Sequence, residues 1–395
     1  MIQSLWPNPT IAVINDHRSR KLPTFYLRQR QSNMALLSWL GHVISTSSSV
    51  LILFLLQFHL ARAQPSNSTA PAVPAVIAFG DSIVDSGNNN VLLTVVKSNF
   101  PPYGRDFAGH VPTGRFSNGK ISADFLASML GVKELLPAYL GTNLGLKDLV
   151  TGVSFASAGT GYDPLTSAVA SVTPMWKQLE SFKEYKRTLT GNLGQKKLTR
   201  LLSGSLFIVC AGSNDVVEYF SNPMQQLSHG IGSYAEFLTQ SASRFLQDLV
   251  SLGARKVGVV GIPPVGCMPS QRLVGGGLSG DCAADRNQLA QTYNAKLNME
   301  IQRLNSNLQG SKLFYVDVYS IFLDFIQYPW KYGFEVSKLG CCGTGTVEVA
   351  ELCNVLSTTC RNASEYVFWD SYHPTQRAYE LLIEMLIQNY GNFIK

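Results

Sequence analysis

The chain has 395 residues, 45% hydrophobic and 15% charged, with a formal charge of +6. Residues 1–63 hold six of the Lys and Arg residues and one acid, Asp16, so the remainder is close to neutral at +1. A near-neutral body excludes the basic footprint of a nucleic-acid binder, while the apolar content suffices for one large core.

The first feature in chain order is a leader. Residues 50–60, "VLILFLLQFHL", form an apolar run of 11 residues, too short to span a bilayer comfortably. Ala61-Arg62-Ala63 places small residues at the two positions a signal peptidase reads, so cleavage is expected after Ala63 and no integral membrane span in the mature chain. Met34 is the more ordinary start. Residues 1–33 are arginine-rich and acid-poor, which makes an organelle transit peptide the alternative to export; the apolar run and the small-residue site favour export. Residues 64–74, "QPSNSTAPAVP", read as a linker with a glycosylation sequon at Asn67.

Beyond the linker, short β-branched runs bounded by Gly or Pro predict buried strands at 75–80, 152–158, 206–212, 256–263 and 312–318. Between the third and fourth, Tyr234, Leu238, Phe245 and Leu249 recur at helical spacing and stop at Gly253. Leu289, Tyr293, Leu297, Ile301 and Leu304 form a second stripe. Residues 374–390 form a third, with Pro374 at the expected first helical position. Alternating strands and helices with fully apolar strands predict one α/β domain over 75–395, its parallel sheet covered on both faces.

All seven cysteines fall in the C-terminal half, without the CxxC pairs of zinc sites. In an exported chain they predict disulfides: Cys267 with Cys282, and two more among Cys341, Cys342, Cys353 and Cys360 in a pairing left open. Cys210, inside an apolar run, reads as a buried thiol. A second sequon lies at Asn362.

In open parallel sheets the strands' carboxyl ends collect functional groups. Here those ends carry "GDS", "SAGTG" and "AGSND". Ser82 lies two residues past the first strand, in a turn expected to be exposed. A reactive serine needs a base, and the base an orienting acid. Only three histidines follow the leader. His110 and His229 have no acid within three residues; His373 has Asp370 three positions earlier, where i and i+3 side chains of a turn share a face. The developing oxyanion needs donors. Gly159 can present a bare N–H, Asn214 an amide, and Ser82 its own N–H. Each piece alone has a bland reading: a turn, a cap, or an N-terminal capping arrangement before proline. The stretch 79–90, "FGDSIVDSGNNN", lacks the GxGxxG and GxxxxGK[ST] of a phosphate loop, and the usual α/β-hydrolase elbow GxSxG occurs nowhere in the chain. The joint occurrence of the four pieces at strand ends points to nucleophilic catalysis.

The blocks "FGDS", "SFASAGTG", "GSND" and "DSYH" resemble those of plant GDSL-type esterase/lipases of the SGNH hydrolase superfamily, as do "NFPPYGRDF", "PTGRFSNGK", "PPVGCMPSQR" and "CCGTG". The resemblance runs from about residue 75 to the end. It implies a three-layer α/β/α, flavodoxin-like fold. It also implies Ser82 as nucleophile, His373 as base, Asp370 as its orienter, and an oxyanion hole of Ser82, Gly159 and Asn214. Ser154 departs from the Asn common in the second block but removes no donor. Ala108, Gly109 and His110 replace a commoner Gly pair in a loop expected near the substrate mouth.

The expected protein is a secreted, monomeric carboxylic ester hydrolase that works through an acyl-enzyme on Ser82, without metal or cofactor. The partner is an acyl ester of lipid, cuticle or cell wall. One alternative is an acyltransferase in cuticle or cell-wall polymer assembly, which would use the same triad. Another is a non-catalytic lipid- or polysaccharide-binding protein, against which the intact residue set argues. Residues 83–120 and 163–200 are expected to shape the acyl pocket.

Overall fold

Five buried residues, Val76–Gly80, form strand β1, and their alternation divides the core into two sides. On one side Phe79 packs against Phe155, Phe182 and Phe245, with ring centroids 5.2, 5.5 and 5.7 Å away. Phe182 and Phe245 belong to the helices Met175–Leu193 and Ile231–Ser251, and the latter packs extensively against Ala284–Asn307. On the other side Val76 and Ala78 line an apolar cavity with Leu126 of helix Ser122–Met129 and Leu382 and Leu386 of helix Gln376–Ile394. Helices cover both faces, giving the expected three layers. This computed structural model describes residues 72–394; the leader, Asn67 and most of the linker lie outside them. Val73, near the linker's end, is already buried in the core.

Strands β2 (Leu206–Cys210), β3 (Lys256–Val260) and β4 (Lys312–Val316) extend the sheet in parallel, in the order β1-β2-β3-β4 and without a register shift. The strand expected at 152–158 is not a regular one; Ser154 makes isolated parallel bridges to Ala78 and to Ala138. The segment still runs along the free edge of β1: Ala78 N–H donates to Val153 O at 3.1 Å, and the Phe155 and Ser157 amides donate to Ala78 O and Gly80 O, each at 2.8 Å. The ladder breaks because the Gly80 N–H goes to Gln178 Oε1 at 2.9 Å. Outside it, Asn88 Nδ2 donates to the Ser154 and Ala156 carbonyls at 3.0 and 2.8 Å. With that segment counted, the sheet runs 2-1-3-4-5 in chain order. Such an order reverses between β1 and β2, and the crevice beyond their carboxyl ends is where ligands bind.

Three further expectations are corrected. β1 ends at Gly80 as expected, but β2, β3 and β4 stop short of their predicted ends, β3 at Val260 because Pro263 and Pro264 lie just beyond. The last helix begins at Gln376, not Pro374. Pro374 bridges back to Phe368, and Thr375 Oγ1 instead accepts the Ala378 N–H in the first turn. A second, two-stranded parallel sheet was not anticipated: β5 (Val336–Gly340) beside β6 (Tyr366–Phe368), which leads directly into Trp369-Asp370. Cys267 pairs with Cys282, and the open pairing resolves as Cys341–Cys360 and Cys342–Cys353; Cys210 is a buried free thiol. Asn362 is exposed and accepts the Ser364 N–H.

Candidate active site

The first strand ends at a glycine for a steric reason. Gly80 has φ +132°, and a Cβ there would meet the Cys210 carbonyl oxygen of the next strand at 1.8 Å. The chain turns there, and Asp81 closes the turn: its N–H donates to Cys210 O at 2.9 Å, and its Oδ1 accepts the Ile83 N–H at 3.1 Å. Asp81 is buried, and burial pushes its carboxyl up to about 7 against the pull of the Ile83 N–H and the His373 charge.

Ser82 follows, and is 7% exposed rather than in an open turn. Phe116 and His373 explain why: the Phe116 ring lies 4.7 Å from the imidazole, and the imidazole lies over the serine. His373 Nε2 is 2.8 Å from Ser82 Oγ, a contact spanning 291 positions. On its other side Nδ1 is 2.8 Å from Asp370 Oδ2 and 3.0 Å from Oδ1. Asp370 is fully buried. Its Oδ1 accepts the Tyr372 and His373 amides at 2.8 and 2.7 Å, as the Asp-x-x-His spacing in a turn requires, and Oδ2 accepts the Tyr103 hydroxyl at 2.7 Å. Nε2 is left facing a serine hydroxyl, an arrangement that can transfer a proton from Ser82 and create a nucleophile.

The other two blocks converge on the same sheet end. Gly159 has φ +84°, and a Cβ there would lie 3.3 Å from both Ala170 Cβ and Val96 Cγ1. Asn214 opens the helix Ser213–Ser221, and its Nδ2 donates to Thr160 O at 2.9 Å, tying the third block to the second. Among the described residues the Ser82 and Gly159 N–H groups make no intramolecular hydrogen bond. If Asn214 is the oxyanion donor that the sequence resemblance implies, Asn214→Ala should lower kcat by about 10²–10³-fold, the usual cost of one such donor; steady-state kinetics at matched circular dichroism checks this. His110 stands exposed and His229 near Tyr234 and Phe237, neither in contact with Ser82.

Several supporting residues escaped sequence reasoning. Asp85 accepts the Gly87, Asn88 and Ala158 amides at 2.8, 2.7 and 3.0 Å, locking the serine loop to the second block, although burial pushes its carboxyl upward. Asp215 accepts from the Tyr162 and Asp163 amides and from Thr166, at 2.7, 3.0 and 2.7 Å, and links the second and third blocks. Arg115 holds Asp124 in a buried bidentate pair at 2.7 and 2.8 Å and reaches Ser86 O. Breaking such a pair from one side costs on the order of 3–5 kcal/mol. A carboxylate beside small residues was visible as a motif, but its acceptor role depends on loops far apart in the chain. Ser154, the departure in the second block, donates to Val84 O at 2.6 Å and so still braces the loop. Among the described residues no group of three or more His, Cys, Asp or Glu side chains could hold a metal ion, and no helix is long and apolar enough to cross a membrane.

Comparison with known proteins accords with this geometry. The family model of GDSL-like lipase/acylhydrolases matches residues 76–386. The chain is 48% identical over 318 residues to the Arabidopsis thaliana GDSL esterase/lipase At1g20120, covering 80% of this chain and 79% of the relative. It is 46% identical to GDSL esterase/lipase EXL3 over 81% of this chain and 88% of the relative, and 44% identical to GDSL esterase/lipase At3g14820 over 87% and 98%, both from the same plant. The chain therefore belongs to the GDSL-like lipase/acylhydrolase family and is a carboxylic ester hydrolase.

Proposed function

We propose that the protein is an exported serine esterase that cleaves acyl esters through a covalent acyl-enzyme on Ser82. The observation that carries this reading is the contact of His373 Nε2 with Ser82 Oγ at 2.8 Å while Nδ1 meets Asp370 at 2.8 Å. His373 takes the Ser82 hydroxyl proton as Oγ bonds to the ester carbonyl carbon. The oxyanion is met by the N–H groups of Ser82 and Gly159 and by Asn214. As the bond to the alcohol oxygen breaks, His373 returns the proton to the leaving alcohol. Water, activated by the same imidazole, then attacks the acyl-enzyme and frees the acid and Ser82. Asp370 keeps the imidazole in the tautomer that accepts at Nε2 and stabilises the imidazolium. Export is supported by the leader's pattern and by three disulfides, which persist in oxidising compartments.

The test is a screen of the purified chain, begun at residue 64, against p-nitrophenyl esters of graded acyl length and acetylated polysaccharides, with and without added alcohols. Release of free acid as the main product in water, with little acyl transfer to the alcohols, supports hydrolysis. Dominant transfer in the presence of acceptors would make the protein a transferase on the same triad. No turnover of any ester would contradict the reading.

A further inference from the structure

Tyr103 belongs to none of the four blocks, yet its hydroxyl donates to Asp370 Oδ2 at 2.7 Å across 267 positions. The ring is fully buried, with Phe100, Phe116 and Trp369 around it at centroid distances of 5.9, 5.7 and 6.5 Å. A phenol has one proton to give and can accept another donor's. Here the Ala350 N–H donates to the Tyr103 oxygen at 2.9 Å. The phenol proton is thereby committed to Asp370. Burial and the Asp370 charge push the Tyr103 hydroxyl well above the usual tyrosine range, so it stays a donor.

The Ala350 amide is itself held. Ala350 lies inside the loop closed by the Cys342–Cys353 disulfide. The same loop brackets Asp370 on both sides: Cys342 N–H donates to Trp369 O at 2.8 Å, and Ser371 N–H donates to Glu348 O at 2.9 Å. Backbone amides fix only Oδ1 of Asp370. Without Tyr103, Oδ2 would be held by His373 alone, and the terminal torsion of an aspartate is soft.

We propose that Tyr103 is a positioning residue for ester hydrolysis, holding the Asp370 carboxylate in the orientation His373 needs, and that the loop closed by Cys342–Cys353 directs its proton. The proposal rests on the reading of Ser82, His373 and Asp370 as the triad. Tyr103 acts through Asp370 and touches no substrate.

The test is Tyr103→Phe, which keeps the ring and removes the hydroxyl. Loss of one hydrogen bond to a charged group should lower kcat about tenfold and leave KM within about twofold. The downfield proton resonance of His373 Nδ1–H should shift and broaden, a change that loosened packing elsewhere would not produce. The pair Cys342→Ala/Cys353→Ala keeps the hydroxyl but slackens Ala350. It should give a smaller kcat loss, and its effect should be less than additive with Tyr103→Phe, because both act on one contact. If Tyr103→Phe did not fold, the cysteine pair would read the same relay from its other end, and wild-type kcat there would overturn it. Wild-type kcat and an unmoved resonance in Tyr103→Phe, beside a collapsed Asp370→Asn, overturn the role of Tyr103 alone. Wild-type kcat in Tyr103→Phe and Asp370→Asn together overturns the triad.

Discussion

Ser82→Ala should abolish ester hydrolysis, with kcat falling on the order of 10⁶-fold and only the background of the oxyanion donors remaining. The fold should survive. The Ser82 side chain forms its hydrogen bond with His373, so the deletion removes one contact, of about 1 kcal/mol. Gly80, Asp81 and the Cys210 carbonyl shape the turn independently of the hydroxyl. Circular dichroism and thermal melting should therefore match the wild type. A variant that kept more than a few per cent of activity would mean that another group attacks the ester.

Asp370→Asn should lower kcat by up to about 10⁴-fold with binding nearly unchanged. The carboxylate accepts four donors: the Tyr103 hydroxyl, the Tyr372 and His373 amides, and His373 Nδ1–H. An asparagine must turn its own N–H₂ toward two of them. The backbone amides cannot move without undoing the turn, so the new donor faces Tyr103 and the imidazole. His373 then carries its proton on Nε2, where it can no longer accept from Ser82. Asp81→Asn is the control. Asp81 uses Oδ1 to accept the Ile83 N–H, Oδ2 has no hydrogen-bond partner among the described residues, and burial already favours its neutral form. Asparagine mimics that neutral acid, so kcat should stay near wild type. A collapse in Asp81→Asn with a near-normal Asp370→Asn would reverse the assignment.

The triad candidates were legible because the residue types are scarce. Three histidines follow the leader, and one has an acid three positions before it; the turn that brings Asp370 to Nδ1 needs only local geometry. Strand identities were legible wherever both faces are buried, as in β1 to β4. The segment at 152–158 was misread because Gln178, on a distant helix, captures the Gly80 N–H that would have continued the ladder, and no local pattern records that. Pro374 misled in the opposite sense, since a residue suited to a helix start is spent on a bridge to Phe368. The second sheet and the contact of Tyr103 with Asp370 join segments whose spacing carries no period. Adjacent Cys341 and Cys342 could pair either way until the fold set their directions.

The most direct test of the central claim, that Ser82 is a nucleophile activated by His373, is fluorophosphonate labelling of the purified protein followed by peptide mapping. A single adduct is expected on the peptide that carries Ser82, formed fast in the wild type and slowly in Asp370→Asn. An adduct on a different residue, or none while ester hydrolysis proceeds, would contradict it.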